Sequence, residues 1–503
     1  MEKRLAIAIA LSFLVILVWS NLQPKTNQAN PVLKSTNTQT QVQNPIVEEK
    51  KPIVLSKEVI LPVSLDIFML NFTESQAALK EAIFKSYNND KLILGNGFSL
   101  GDKNWTFTKE KVSGENISFV YKDAQKKITK NFSFHNSSYS MELEIEISNL
   151  TNLRQDLTLP VILGTLNFNS DPGQSQYLDV VIARPEKTLH FNGRKNVNFS
   201  DSKFLAIKNR YFCVIIEPTV NKYSTFIEKV NAQESEAGLQ LSPLILEPNQ
   251  IWREKFRIYL GPQDLKQIDS INPGWNNIIY YGTFDIISQA LLSLLEFLQR
   301  LVHSLGLAII MLSVLIYFIL FPLTMKQMRS MKEMQQLQPH IEELKKAYKD
   351  NPTKLNKEIM ELYREHKVNP LGGCLPVVLQ IPIFFALYQA LVRTIALKGA
   401  KFLWIKDLSQ PDRLFTLPVT LPFIGNAFNI LPILMAIAMF IQQKTTATTS
   451  AGVSSEQQKM MLILFPVMFG FIFYNMPSGL VLYWFTNSLF TLIYQTRINK
   501  SKA

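Results

Sequence analysis

The chain is poor in cysteine, which limits how any exported part of it can be stabilised. Among its 503 residues only Cys213 and Cys374 are cysteines. The first lies in a polar segment and the second at the start of an apolar one, so we expect them on opposite sides of a bilayer without a disulfide between them. An exported domain without a disulfide depends on its own hydrophobic core, which about 200 residues can supply.

Sequence patterns for catalysis and for nucleic-acid binding are also missing. The chain has no P-loop, no HExxH zinc motif and no GxSxG nucleophile motif. A formal net charge of +12 is not accompanied by zinc-finger spacing, an RNP-type aromatic motif or a concentrated basic arm. We therefore expect no enzyme activity, no cofactor, no metal site and no nucleic-acid partner.

The N-terminal part combines one apolar run with a polar tether. A short basic stretch precedes an apolar run that ends at Trp19. A cleaved signal peptide would show the same pattern, but neither a small-x-small cleavage site nor a lipobox cysteine follows. We expect residues 1–22 to be an uncleaved transmembrane anchor. Residues 23–52 are rich in Gln, Asn and Thr, which predicts a disordered linker.

Residues 53–270 alternate apolar and polar side chains. The segments KKITKNFSFH, YSMELEIEISN and RYFCVIIEP are examples, separated by Gly, Asn, Asp and Pro. Many short strands with frequent turns predict an antiparallel β-sandwich. Residues 283–302 change to a helical period and predict an amphipathic helix in the membrane interface. Its apolar face is expected to hold five residues: Ile286, Leu291, Leu294, Leu295 and Leu298.

Most long apolar runs follow, in residues 305–498. We expect five membrane helices there, at 305–325, 371–393, 424–442, 461–476 and 480–496. With the N-terminal anchor they make six transmembrane helices, and the fold class predicted is a polytopic α-helical membrane protein with a large periplasmic antiparallel β-sandwich domain.

The distribution of Lys and Arg predicts how the chain is oriented in the membrane. Residues 326–367 carry ten Lys and Arg and form a predicted helical hairpin, which the positive-inside rule assigns to the cytoplasm. Both termini are then cytoplasmic and the β domain is outside. The basic residues of 393–413 oppose this assignment but are fewer.

Neutral polar residues interrupt the predicted spans. In the segment 369–388, Gln380 lies between Pro376 and Pro382. Lipid offers no partner for a freed carbonyl or a buried amide, so such a segment must face protein or water. Other neutral polar residues at similar depth are Ser313, Tyr317, Gln442 and Asn487. The set fits a water-filled groove. Ordinary hydrogen bonds between helices, each contributing about 0.6–2 kcal/mol, are the alternative.

Four collinear motifs resemble one family. They are FPLT (321–324), NPLGGC (369–374), LQIPIFFALY (379–388) and PSGLVLYW (477–484). They are similar to the YidC/Oxa/Alb family of membrane insertases, and the layout of the whole chain resembles its Gram-negative members. The resemblance implies an inner-membrane insertase and chaperone that acts alone or with the Sec translocon. Its implied partners are nascent membrane proteins, the ribosome, Sec components and membrane lipids.

The resemblance also implies roles for individual residues. It favours the groove and adds Tyr483 and Trp484 to its lining, because they match the family's aromatic pair. It implies that substrates leave along the third and fifth helices. One position departs from the family, since Tyr317 stands where the family carries an arginine. Attraction of acidic substrate tails by a fixed charge is therefore not expected here.

The cytoplasmic hairpin begins with a methionine repeat. Met325, Met328, Met331 and Met334 recur every three residues. Methionine is flexible and polarizable and accepts varied apolar partners. We expect these residues to contact nascent apolar segments, with packing between the two hairpin helices as the alternative.

Two other functions fit six helices with polar linings. A transporter or channel would show inverted repeats or paired broken helices, and no convincing repeat is found. A non-catalytic assembly scaffold would tolerate generic anchors in place of residues 305–497.

Overall fold

The computed structural model describes most of the chain beyond residue 57. The described residues are 58–101, 105–169, 175, 177–220, 223–241, 244–349, 351–366, 368, 375–421, 425–447 and 455–500. The predicted anchor, the predicted linker and the NPLGGC motif lie outside the described residues.

The polar half of the described chain is built of short strands. They are β1 (Ile60–Ser64), β2 (Phe68–Thr73), β3 (Ala78–Phe84), β4 (Asp90–Gly97), β5 (Thr108–Ser113), β6 (Asn116–Lys122), β7 (Lys126–Phe134), β8 (Ser140–Asn149), β9 (Gln155–Leu157), β10 (Pro160–Asn167), β11 (Asp179–Ala183), β12 (Thr188–Phe191), β13 (Val197–Ser202), β14 (Phe204–Lys208), β15 (Phe212–Pro218), β16 (Tyr223–Lys229), β17 (Glu234–Leu241), β18 (Leu244–Leu246) and β19 (Ile251–Pro262).

These strands form antiparallel sheets around one core. The largest sheet has nine strands in the order β12-β11-β14-β15-β19-β8-β7-β6-β5, and two four-stranded sheets have the orders β1-β2-β3-β4 and β10-β17-β16-β13. Along β7 and β8 the side chains alternate between buried and partly exposed. The buried faces share a core rich in Phe, Ile, Leu and Val, as alternation in a half-buried sheet requires.

One charged residue lies inside this core. Lys130 on β7 is fully buried, and its ammonium donates to the carbonyls of Ala77 at 2.5 Å and Phe98 at 2.6 Å. These carbonyls belong to the β3 and β4 region, so Lys130 joins the four-stranded sheet to the nine-stranded one. Burial lowers the pKa of the Lys130 ammonium to about 7, because desolvation disfavours its charged form.

The remainder is mainly helical. The helices are α1 (Leu265–Ile271), α2 (Asp285–Val302), α3 (Leu305–Gln336), α4 (Gln338–Ala347), α5 (Pro352–Glu365), α6 (Leu375–Arg393), α7 (Ile430–Ala447), α8 (Ser455–Phe473) and α9 (Ser478–Lys500). Among the described residues, Leu305–Lys326 is the one stretch both long and apolar enough to span a membrane, and Ile430–Thr445 and Leu462–Phe473 are shorter apolar helices. The count of six membrane helices stays a prediction.

Helix α2 forms where the amphipathic pattern predicts a helix. It packs against α3 and α6, with Ser288, Leu295 and Leu298 buried. The Ser288 hydroxyl donates to Ala386 O of α6 at 2.9 Å. Ile286, on the predicted apolar face, is 85% exposed, and the place of this face in the membrane interface stays a prediction.

Two further boundaries differ from the sequence prediction. The span expected from residue 424 begins as a helix only at Ile430, because Phe415–Leu421 (β20) and Gly425–Phe428 (β21) form a β-hairpin before it. Helix α3 continues through Pro322 to Gln336, well beyond the expected end of the span. The hairpin proper is therefore α4 and α5, with Asn351 capping α5 through its side chain.

Candidate functional site: a polar cavity between three helices

Helices α3, α6 and α9 enclose a small polar cavity. Its volume is about 40 Å³, enough for at least one water molecule. The lining residues are Tyr317, Leu320, Leu323, Thr324, Gln380, Asn487 and Thr491. Three of the predicted groove residues, Tyr317, Gln380 and Asn487, are thus brought together from three different helices. Every lining residue is uncharged, so the cavity offers hydrogen bonds without a fixed charge.

Two hydroxyl groups near this cavity lack protein partners among the described residues. The Oη atoms of Tyr317 and Tyr483 are both buried without a hydrogen bond. The side-chain amide of Gln380 approaches the Tyr483 hydroxyl, but the pair does not reach full hydrogen-bond geometry. A buried polar group without a partner costs about 1–3 kcal/mol. Water in the cavity would remove that cost for Tyr317, which lines it.

Aromatic packing fixes the ring of Tyr317. Its centroid lies 6.1 Å from that of Phe321 and 6.0 Å from that of Phe490 on α9. Phe321 in turn packs edge to face with Tyr494, at 4.8 Å between ring centroids. Rings at these separations and angles are favourable pairs. The apolar part of Tyr317 therefore joins α3 to α9, while its hydroxyl is left for the cavity.

Two threonines of the lining were missed in the sequence. Thr324 Oγ1 donates to Leu320 O at 3.2 Å, and Thr491 Oγ1 donates to Asn487 O at 2.8 Å. Each hydroxyl satisfies its donor within its own helix, and its oxygen remains able to accept a bond from water. Thr491 lies four residues after Asn487, and this helical spacing was the signal for a shared face.

The other predicted groove residues lie elsewhere. Ser313 is buried and its hydroxyl donates to Ile309 O at 2.8 Å within α3. Gln442 on α7 is partly buried and is not among the residues lining the cavity. Trp484 packs in an aromatic cluster with Phe384, Phe469 and Phe473, at centroid distances of 5.1, 5.7 and 5.5 Å. That cluster joins α6, α8 and α9.

The four methionines fall on helix α3 rather than on the hairpin. Met325 is 39% exposed, and its sulfur accepts a hydrogen bond from the Tyr494 hydroxyl. The backbones of Met328 and Met331 belong to α3, but their side chains lie outside the described part of the structure. Met334 packs against the small core of the hairpin, formed by Leu337, Ile341, Tyr363 and Val368.

The outward faces of the helices are apolar. Large exposed side chains include Phe318 and Ile319 on α3 and Val467 and Phe471 on α8. Exposed apolar surface on a helix is typical of contact with other proteins or with lipid.

A buried carboxylate caps the N-terminal end of α7. Asp412 is 3% exposed, and its Oδ2 accepts hydrogen bonds from Ile430 N at 3.0 Å, Leu431 N at 2.9 Å and Trp404 Nε1 at 3.2 Å. Its negative charge faces the positive end of the helix dipole. The cap lies 18 residues before Ile430 in the chain, and it fixes where α7 begins.

Two family models together match most of the chain. The family model described as 60Kd inner membrane protein matches residues 297–503, and the model described as YidC periplasmic domain matches residues 83–294. A crystal structure of active YidC insertase is 20% identical, covers 98% of this chain and 99% of its own, and has a TM-score of 0.42. A galactose mutarotase-like protein from Lactobacillus casei is 8% identical, covers 40% of this chain and all of its own, and has a TM-score of 0.33.

Curated relatives match along the full length. Membrane protein insertase YidC of Geotalea uraniireducens is 32% identical over 545 residues, covering 100% of this chain and 99% of the relative. The protein of the same name from Geotalea daltonii is 30% identical over 554 residues, with the same coverage. That of Geobacter metallireducens is 44% identical over 259 residues, which are 51% of this chain and 45% of the relative. The chain therefore belongs to the YidC family of membrane protein insertases.

Proposed function

We propose that this chain inserts nascent proteins into the bacterial inner membrane through a hydrated groove that includes the α3–α6–α9 cavity. The observation that carries the proposal is the neutral polar lining with the unpartnered Tyr317 hydroxyl. Water held there lowers the cost of moving a polar chain segment into the bilayer, a cost that lipid alone cannot offset. The polar flank of a substrate passes along the groove while its apolar segment enters lipid.

The energy for insertion comes from the substrate. Transfer of apolar surface into lipid is favourable by about 25 cal/mol per Å². The insertase lowers the barrier by shortening the distance that the polar flank must cross in an apolar medium. The exposed apolar faces of α3 and α8 supply a surface along which the substrate helix can leave.

The arrangement in the membrane follows from this function. We place the β domain in the periplasm, both termini in the cytoplasm and six helices across the inner membrane, with the basic α4–α5 hairpin at the cytoplasmic side. The exposed Met325 at the inner end of α3 receives the apolar segment before it reaches the groove. The ribosome, the Sec translocon and membrane lipids are the partners proposed, and the protein acts either alone or beside Sec.

The neutral cavity favours an insertase over a transporter. Ionisable residues within membrane spans commonly mark ion or proton pathways. No lining residue of the cavity is ionised at neutral pH, and the same cavity can hold water. A hydrated but uncharged space suits a passing chain better than a bound ion.

The test is reconstitution of the purified chain into liposomes. A freshly translated single-span protein with a short translocated tail is added, and protection of the tail from protease is scored. We expect protection well above that of empty liposomes, and none for a matched substrate whose apolar segment is replaced by a polar one. Equal protection with folded protein and with empty liposomes would contradict autonomous insertion.

A further inference from the structure

The β domain holds the outer end of a cavity-lining helix. Arg210 lies in the turn between β14 and β15, and its guanidinium reaches two carbonyls of the membrane part. Its Nε donates to Val392 O at 2.8 Å and its Nη2 to Ser409 O at 3.4 Å. Val392 is in the last turn of α6 and is 2% exposed. The contact therefore joins the end of α6 to the loop that follows it.

The chemistry of this contact fits a helix C-terminus. The last carbonyls of a helix have no partner within the helix and carry its negative dipole end. A guanidinium supplies both positive charge and donors in a fixed plane. The Arg210 guanidinium lies near the rings of Tyr177 and Tyr211, 5.4 and 4.9 Å from their centroids. Those rings restrict its side chain to the orientation that caps α6.

The turn that carries Arg210 is itself fixed. Asn209 Oδ1 accepts hydrogen bonds from Tyr211 N at 2.9 Å and Phe212 N at 2.8 Å. Gln263 Nε2 donates to Asn209 O at 2.7 Å, which connects the turn to the end of β19. A rigid turn loses little entropy on making the contact, so the guanidinium bonds retain more of their energy.

Two more cationic contacts surround the same helix end. Arg393 Nη1 donates to Tyr280 O at 2.7 Å, in the segment between the β domain and α2. Lys398 pairs with Asp90 at the start of β4, with side-chain exposures of 16% and 23%. This pair is shielded from water more than ordinary surface ion pairs, whose contributions are small. The Lys398 ammonium also lies 4.8 Å from the centroid of the Tyr211 ring.

We infer that Arg210 is a positioning residue for insertion, through which the β domain fixes the outer end of α6 and so the place of Gln380 in the cavity. The inference rests on the proposed function. Helix α6 is held near its middle by the Ser288 bond to Ala386 and at its outer end by Arg210. The second hold comes from the β domain and acts directly on the last turn of α6. Without it, the end of α6 depends on the Arg393 bond to Tyr280 and on the Lys398–Asp90 pair in the following loop, so we expect this end to move more freely.

The first experiment is hydrogen exchange of the full-length protein in liposomes, comparing wild type with Arg210→Met. We expect exchange at the amides of 388–397 to rise about tenfold or more, because charge-assisted hydrogen bonds at the helix end are lost. Amides of β7 and β8 should exchange as in the wild type, and Arg210→Lys should show an intermediate rise. The matched control is Arg253→Met, which removes an exposed arginine of β19 paired with Glu146. Unchanged exchange at 388–397 in Arg210→Met would overturn the inference.

The second experiment measures insertion by the same variants in liposomes. We expect Arg210→Met to slow insertion severalfold while Arg253→Met does not. A charge exchange provides an independent variant: Asp90→Lys and Lys398→Asp should each slow insertion, and the double exchange should recover it. Faster hydrogen exchange at 388–397 with wild-type insertion by Arg210→Met would overturn the positioning role of Arg210. No recovery of insertion in the Asp90→Lys, Lys398→Asp double variant would overturn a supporting role for that ion pair. If the wild type itself fails to insert, the proposed function fails, while hydrogen exchange still decides whether Arg210 holds α6.

Discussion

Tyr317 on α3 and Asn487 on α9 line the same cavity, although 170 residues separate them in the chain. Gln380 on α6 completes the polar set. Three helices thus place uncharged hydrogen-bonding groups around one small volume, with apolar outer faces behind them. This contrast in polarity is the physical basis for treating the cavity as part of a groove.

Water access to the cavity can be measured with single cysteines. In a Cys374→Ser background, Thr491→Cys should react with a water-soluble maleimide, because thiolate forms only where water reaches. The matched control on the same helix is Ile493→Cys, since Ile493 is 51% exposed on the apolar outer surface. We expect Ile493→Cys to stay unlabelled in liposomes. Equal labelling at both positions would contradict a hydrated cavity facing away from lipid.

A charge at position 317 should alter substrate preference. Tyr317→Arg would introduce a cation into a neutral cavity at a cost of about 2.5–3.5 kcal/mol on insertion scales. We expect faster insertion of substrates with acidic translocated tails and slower insertion of those with basic tails. Tyr317→Phe, which removes the hydroxyl alone, should affect both tails equally. Unchanged insertion of acidic-tailed substrates by Tyr317→Arg would show that charge is dispensable in this scaffold.

Asp412 should matter for the stability of the membrane part. Asp412→Ala removes the acceptor of three hydrogen bonds and leaves the first amides of α7 without a hydrogen-bond partner. We expect a loss of about 1–3 kcal/mol in unfolding free energy, seen as earlier thermal unfolding in detergent. Asp412→Asn should lose less, because its amide oxygen still accepts. Asp156→Ala is the control, since Asp156 is exposed and its ion pair with Arg154 is on the surface. An equal loss of unfolding free energy in Asp156→Ala would contradict a stabilising role for the Asp412 cap.

Lys130 makes the stability of the β domain depend on pH. The pKa of Lys130 is lowered from 10.5 to about 7 by burial, so between these values the unfolded chain binds a proton that the folded domain does not. Stability therefore rises with pH above about 7, by up to about 1.4 kcal/mol per pH unit, and is lost as pH falls toward 7.

Hydrogen exchange of β7 and β8 amides in the full-length protein measures this dependence. The protection of wild-type β7 and β8 amides, measured relative to Lys130→Met at the same pH, should increase from pH 7 to pH 9. The control Lys255→Met changes an exposed lysine of β19, with 57% of its side chain accessible, and should show no such growth. A constant difference between wild type and Lys130→Met would contradict burial of a neutral lysine.

The strands were the part of the fold that the sequence predicted best. Segments such as YSMELEIEISN alternate along their length, and a half-buried antiparallel strand has the same period of two. The β20–β21 hairpin was not predicted, because its second strand, Gly425–Phe428, was taken as the start of the apolar span at 424–442. Asp412 sets the start of α7 by accepting hydrogen bonds from Ile430 N and Leu431 N. These are tertiary contacts that no local sequence pattern shows.

The cavity was predicted by residue type more than by position. Neutral polar residues at mid-span pointed to Tyr317, Gln380 and Asn487, which do line one space. The same criterion selected Ser313, but its hydroxyl is satisfied by its own helix at Ile309. Whether a polar side chain lines the cavity depends on how its helix is rotated about its axis. That rotation is set by packing against neighbouring helices.

The most direct test of the hydrated groove removes its polarity without adding charge. Gln380→Leu combined with Asn487→Leu should dry the cavity between α3, α6 and α9 while keeping side chains of similar size. The control is Ser313→Ala, which removes a buried hydroxyl outside the lining. Insertion of a single-span substrate into liposomes is then scored by protease protection. We expect at least about tenfold slower insertion by the double variant and wild-type insertion by Ser313→Ala. Wild-type insertion by a folded double variant would contradict it.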